Sequence, residues 1–189
     1  VVSVVVAVAV AVLVALATLV AELLDSLSSA VASALAPAVA AAGDVNGDGL
    51  EDVYAGGGNG FPGILYLQNK KADFIASNQP AFEEDKNSED ADAIITDLNM
   101  DGFADLYVVS GGYHNYAPKD AALQDRIYLN DGKGKFNQRV NLSLDPNTQV
   151  SVVKAIDFNN DGLLDLMIGS RNVPGKYGHS PRSYLLKNL

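Results

Sequence analysis

The sequence predicts a mainly β fold, a partial β-propeller of about three blades with oxygen-rich loops, plus an N-terminal apolar strand/helix segment. Three observations carry this. A nine-residue pattern, D-x-N-x-D-G-x-x-D, occurs three times with starts 53 and 60 residues apart, a period typical of propeller blades and repeat arrays. Each copy leads into a short β-prone run that ends in small turn residues. The composition also breaks at Ala42: residues 1–42 hold only Val, Ala, Leu, Ser, Thr, Glu22, Asp25 and Pro37, and every Lys, Arg, Gly and aromatic lies beyond.

The first element is residues 1–36, for which three readings stand side by side. Residues 1–21 are uncharged and long enough to approach the thickness of a bilayer core, as a membrane or signal helix would be. No basic residue and no starting Met precede the run, so the usual charged flank of an export signal is missing. Alternation of Val6, Val8, Val10, Val12 and Val14 with small residues fits a strand, and Leu16, Leu19, Val20, Leu23, Leu24 and Leu27 then fall at helical spacing. A strand and helix capping the repeats is the second reading, and low-complexity sequence without a natural role is the third.

The repeats occupy residues 37–189, with blades at about 37–90, 91–149 and a shortened 150–189. In the first loop the pattern is Asp44, Asn46, Asp48, Gly49 and Asp52. In the second it is Asp97, Asn99, Asp101, Gly102 and Asp105, and in the third Asp157, Asn159, Asp161, Gly162 and Asp165. Oxygen-bearing side chains at positions 1, 3 and 5 of a tight turn face one centre, Gly at position 6 permits the bend, and the carbonyl at position 7 (Leu50, Phe103, Leu163) adds a donor. The Asp at position 9 closes the set. Three carboxylates and no nitrogen or sulfur suit calcium over zinc or magnesium, so about three Ca²⁺ sites are expected. Three bound ions would take the formal charge from −10 to about −4. An EF-hand is excluded, because position 12 is Ala55, Val108 or Ile168 instead of a bidentate acid, and the following residues are β-prone.

Strands entering the loops are expected at Ala38–Ala42, Ala91–Thr96 and Val150–Ile156. Strands leaving them start at Val53, Leu106 and Leu166. A hairpin follows in Ile64–Phe74 and in Ile127–Phe136, where Asp131-Gly132 is the turn signal, and Tyr184–Leu189 begins a third. Each unit is thus a four-stranded blade.

From about Pro37 onward the chain resembles the FG-GAP/VCBS-repeat propellers found also in integrin α-chains, most closely a bacterial exported branch. The carrying stretches are Gly43–Asp52, Leu106–Gly112, Leu123–Gly132 and Pro181–Leu186. The resemblance implies a calcium-stabilised propeller outside the cell (extracellular, cell-surface or periplasmic), acting as a recognition or adhesion surface for a protein or carbohydrate. Three units do not close a ring, so three expectations stand together: the repeats are a fragment of a larger propeller, the Val/Ala-rich strand and helix cap the open edge, or several chains associate through open sheet edges.

Composition excludes other classes. At −10, with 13 Lys+Arg against 23 Asp+Glu, the chain would repel a phosphate backbone, and no nucleic-acid partner is expected. Without Cys there is no disulfide, thiolate zinc site or thiol nucleophile. Membrane contact falls to residues 1–21 alone. His114 and His179 lie in Gly- and Tyr-rich connections with no partner carboxylate or nucleophile at a telling spacing, so no enzyme is expected. With Tyr113, Tyr116, Tyr177, Arg171 and Arg182 these connections have the character of a binding rim. The acidic run Glu83–Asp90 reads as a solvated loop, and Asn141–Ser143 fits a glycosylation sequon. The alternatives to a recognition module are a non-catalytic part of a larger exported polysaccharide-active enzyme and a scaffold without a partner.

Overall fold

A computed structural model describes residues 39–189 apart from 113–116, 118, 143, 146–148, 175, 177 and 189. The readings of residues 1–36, and with them any membrane contact, lie outside the described residues, among which no helix is long and apolar enough to cross a membrane. The chain divides into two compact units, Val1–Leu35 and Ala36–Leu189. The second is the repeat unit.

It consists of three antiparallel sheets in which consecutive strands are neighbours. Sheet 1 runs β1 (Ala40–Gly43), β2 (Asp52–Ala55), β3 (Ile64–Gln68), β4 (Phe74–Ser77). Sheet 2 runs β5 (Asp90–Thr96), β6 (Asp105–Ser110), β7 (Arg126–Asn130), β8 (Phe136–Asn141). Sheet 3 has three strands among the described residues, β9 (Gln149–Ile156), β10 (Asp165–Asn172) and β11 (Tyr184–Leu186). The mainly β, propeller-like expectation therefore holds. Val, Ile, Leu and Tyr dominate β3, β6, β7 and β9, the residues that suit a pleated, half-buried surface.

Register follows the repeat. Val53 pairs with Ala42 and Tyr66, Leu106 with Ile95 and Tyr128, and Leu166 with Ala155 and Leu186. The first strands lie side by side, β1 by β5 and β5 by β9, and the sheets stack through two apolar cores. One joins Ala41, Tyr54 and Leu65 of sheet 1 to Ala93, Leu106, Val108 and Tyr128 of sheet 2. The other joins Tyr107 and Val109 of sheet 2 to Val153, Leu166 and Ile168 of sheet 3. The sheets approach closely: a Cβ on Gly111 would stand 2.5 Å from the Val150 carbonyl oxygen.

The connection from sheet 1 to sheet 2 corrects the solvated-loop reading of Glu83–Asp90. A short helix, α1 (Pro80–Glu84), starts on a proline whose fixed φ suits a first turn. It drops Phe82 into the first core, 5.4 Å from the Tyr54 ring, 4.9 Å from Tyr128 and 5.8 Å from Phe136. Beyond it Asp85, Ser88 and Asp90 are buried. Asp85 accepts the Tyr128 hydroxyl at 2.6 Å and pairs with Arg139. Burial of these acids is tolerated because each finds donors, a long-range fact that a local run of charges does not reveal.

Candidate metal centre

The three loops adopt one arrangement. Position 1 accepts N–H groups from its own turn: Asp44 takes Gly47 at 2.7 Å and Gly49 at 2.8 Å, Asp97 takes Met100 at 2.7 Å and Gly102 at 2.9 Å, and Asp157 takes Gly162 at 2.9 Å. The Asn at position 3 accepts the N–H of position 5 at 3.0 Å in all three copies. Position 5 accepts the N–H of position 7, Leu50 at 2.9 Å, Phe103 at 2.9 Å and Leu163 at 3.0 Å. In the second and third loops the Asn amide also donates to the position-5 carboxylate, at 2.9 and 2.8 Å. These are Asx turns, in which a short polar side chain replaces a backbone acceptor.

Two left-handed residues make the bend. Position 6 is Gly49, Gly102 and Gly162, at φ 81, 87 and 87°, as the pattern requires. Position 4 is left-handed too, as Gly47 (74°), Met100 (63°) and Asn160 (58°). Sequence reasoning missed position 4 because its three residues share no side-chain chemistry.

Position 9 is built differently. Asp52, Asp105 and Asp165 open the second strand of each sheet and are fully buried. One carboxylate oxygen accepts the N–H of loop position 2, Val45 at 3.1 Å, Leu98 at 3.0 Å or Phe158 at 3.2 Å. The other accepts the N–H of Gln68 at 2.8 Å or Asn130 at 2.9 Å, which end the third strand, or of Asn188 at 2.8 Å, two residues past it. This acid ties the loop to its hairpin. Hydrogen bonds to a charged acceptor are worth about 1.5–3 kcal/mol each, so the residue stabilises each sheet with or without a ligand.

The electrostatics divide along the same line. Burial pushes the Asp52 carboxyl above its ordinary range, opposed by the N–H groups of Gln68 and Val45 and reinforced by the charges of Asp48 and Asp44. Asp105 is raised in the same way by burial, with Asp101 and Asp97 adding to it. Asp44 goes the other way: slight burial works against ionisation, but the N–H groups of Gly49, Gly47, Asp48 and Asn46 hold its carboxyl below the usual range. The N–H of Leu163, with the Asn159 amide and Lys187, lowers Asp161.

As ligands for a cation the residues form a consistent donor set. Every side chain at positions 1, 3, 5 and 9 offers oxygen, and a carboxylate oxygen that accepts one N–H keeps a second lone pair. Among the described residues, no three His, Asp or Glu side chains are gathered into a metal-holding cluster. The loops supply oxygen donors, with carboxylates held by their own backbone.

The expected binding rim is described only in part. Arg171, His179 and Arg182 are exposed, whereas Tyr113, His114, Tyr116 and Tyr177 lie outside the described residues. Asn141 ends β8, and Ser143 of its sequon is likewise outside them.

Among proteins of curated function, none matches the chain significantly. A family model for the FG-GAP-like repeat matches it twice, over residues 44–108 and 97–168. Each match starts at position 1 of a loop and ends in the second strand of the next sheet, the spacing at which the geometry repeats. With the two matches spanning more than half of its length, the chain belongs to the FG-GAP-like repeat family.

Proposed function

We propose that this chain is a calcium-binding, non-enzymatic propeller-repeat module that presents a recognition or adhesion surface outside the cell, with calcium in a structural role. The observation that carries the reading is the threefold reuse of one oxygen-only loop with a buried acid at position 9, which in the first two copies is disfavoured by burial and by the charges of two further loop acids. In the first loop calcium would be held by Asp44, Asn46, Asp48, the Leu50 carbonyl and Asp52. The second set is Asp97, Asn99, Asp101, Phe103 and Asp105, and the third Asp157, Asn159, Asp161, Leu163 and Asp165. The ion would supply positive charge beside Asp52 and Asp105, which burial and the charges of the other acids of their loops disfavour.

A structural role follows from magnitudes. Extracellular modules bind calcium at about 10⁻⁴–10⁻³ M, and at ten times its dissociation constant each ion adds about 1.4 kcal/mol to stability. Three ions together are comparable to a large part of a domain's margin of roughly 5–15 kcal/mol. Repeat domains of this family are generally non-catalytic, which supports the non-enzymatic reading. The exposed Arg171, His179 and Arg182 are the part of the surface offered to a protein or carbohydrate partner.

Thermal melting in calcium and in chelator tests the proposal, together with calorimetric titration. The expected result is a lower midpoint in chelator and about three binding events. An unchanged midpoint with no heat of binding overturns it.

A further inference from the structure

The chain contains two Asn-Gly dipeptides, Asn46-Gly47 in the first loop and Asn59-Gly60 in the connection from β2 to β3. An asparagine before a glycine can close on itself: the glycine nitrogen attacks the side-chain carbonyl carbon, and the glycine has no side chain to stand in the way. The fold holds the two dipeptides differently.

At Asn46 the groups that such a closure needs are already engaged. The Gly47 N–H donates to Asp44 Oδ1 at 2.7 Å, so the proton that must leave points at a carboxylate within transfer distance. The Asp48 N–H donates to Asn46 Oδ1 at 3.0 Å, where negative charge gathers as the carbonyl is attacked. In the second and third loops the leaving amide is held, because Asn99 donates to Asp101 at 2.9 Å and Asn159 to Asp161 at 2.8 Å. The Asn46 amide makes no bond of this kind to Asp48, whose carboxylate takes the Leu50 N–H instead. Position 4 also carries a side chain in those loops, as Met100 and Asn160.

Asn59 and Gly60 are both exposed, whereas Asn46 is half-buried, so exposure alone would favour Asn59. Its amide, however, donates to the Asn87 carbonyl at 3.1 Å. The Gly60 N–H donates to the Lys86 carbonyl at 2.7 Å, a neutral oxygen too weakly basic to take its proton.

We infer that Asn46 is a self-modification site, at which Gly47 closes on the side chain to a succinimide that water opens to aspartate or isoaspartate, ahead of the more exposed Asn59. The bond from Gly47 N to Asn46 Cγ forms and the bond from Cγ to Nδ2 breaks. The Gly47 proton passes by way of Asp44 to the departing nitrogen, which leaves as ammonia. Water then breaks the ring at Cγ, giving aspartate, or at the Asn46 backbone carbonyl carbon, giving isoaspartate with the chain running through Cγ. Either product adds a carboxylate to the first loop, and the second also lengthens its backbone by one methylene. The copies of the loop thus age unequally.

Peptide mapping by mass spectrometry tests this on the full chain incubated in mildly alkaline buffer with chelator, so that the outcome does not depend on calcium. The amide-to-acid mass increase is expected several-fold faster at Asn46 than at Asn59, with isoaspartate methyltransferase labelling the Asn46 peptide. In guanidinium chloride, where the loop geometry is lost, the two sites are expected to react at similar rates. Gly47→Met gives the first loop the residue that the second already holds at a similar backbone angle, φ 63° at Met100 against 74° at Gly47. It is expected to abolish conversion at Asn46 and leave Asn59 unchanged. If that variant does not fold, the comparison of native with denatured chain decides alone. Native Asn59 reacting as fast as Asn46, a preference for Asn46 that persists in denaturant, or continued conversion in folded Gly47→Met overturns the proposal.

Discussion

Arg126 on β7 donates from its guanidinium to Asp90 at the start of β5, and both side chains are buried. The same carboxylate accepts the Tyr54 hydroxyl at 2.7 Å and the Gly57 N–H at 2.6 Å, so one acid fastens the second strand of sheet 1 to sheet 2. Removing one partner of a buried pair leaves an uncompensated charge and costs about 3–5 kcal/mol. Arg126→Met is therefore expected to lower the free energy of urea unfolding by that amount. Adding Asp90→Asn should return part of the loss, since no bare charge then remains. Equal stability of Arg126→Met and wild type would contradict the role given to the pair.

Asp125 gives the clearest pH dependence. It accepts the Tyr107 hydroxyl at 2.7 Å and the Ser110 N–H at 2.9 Å. Burial pushes its carboxyl up to about 6, against the lowering influence of Ser110, Tyr107 and Arg126. The native chain thus holds this proton more tightly than the unfolded chain, whose Asp titrates near 3.9. Its contribution is complete below about pH 4 and is lost as pH rises through about 6, a change on the order of 3 kcal/mol. Asp125→Asn should flatten the dependence of melting temperature on pH between 4 and 7 relative to wild type. A profile unchanged by the substitution would assign the dependence elsewhere.

Met100 stands in the left-handed region at φ 63° with its side chain exposed. A non-glycine residue there costs roughly 1–2 kcal/mol, part of which a glycine gives back through its freer unfolded chain. Met100→Gly is expected to raise stability by roughly 0.5–1 kcal/mol. Gly47→Ala, at the equivalent turn, should lower it by a similar amount. Chemical denaturation of the two variants reads both signs, and a destabilised Met100→Gly would show that the Met side chain matters more than the backbone.

Positions 5 and 9 should part company under mutation. Among the described residues Asp101 bonds within its own loop, to Asn99 and Phe103, whereas Asp105 spans Leu98 and Asn130. Asp101→Asn is expected to remove about one of three calorimetric binding events and to leave the chelator-treated melting midpoint within about 2 °C of wild type, as a change of a few tenths of a kcal/mol would. Asp105→Ala should lower the midpoint even in chelator, because the buried Asn130 N–H and the half-buried Leu98 N–H lose their acceptor, at about 1–3 kcal/mol for a fully buried group. Equal behaviour of the two variants in chelator would remove the distinction.

The loops and strands were legible because their signals are local. Asp, Asn and Gly at fixed offsets define a turn, and the runs after Asp52, Asp105 and Asp165 are β-prone in any context. The hairpin after Asn130 was legible for the same reason. What stayed hidden depends on distant partners. Asp85 and Asp90 read as solvated charge until Tyr128, Arg139, Tyr54 and Arg126 are brought to them from 36 or more residues away. Helix α1 spans five residues, too few for a periodic signal. The double duty of the position-9 acid was invisible as well, since its second partner comes from the following hairpin.

Asn130 has a consequence for the order in which the molecule opens. Its amide donates to the Val45 carbonyl of sheet 1's loop at 2.7 Å and to the Ala104 carbonyl of its own loop at 2.8 Å, and Gln79 adds a bond to Gly134. The first seam is thus pinned by polar groups as well as by the Phe82 cluster, while the second relies mainly on its apolar core and the Asp92 bond to the Val153 N–H. In a stack where each repeat is held by its neighbours, the less firmly pinned end detaches at the lower free energy. Sheet 3 is the foldon expected to exchange its amide hydrogens first, with β2, β3, β6 and β7 protected up to global unfolding.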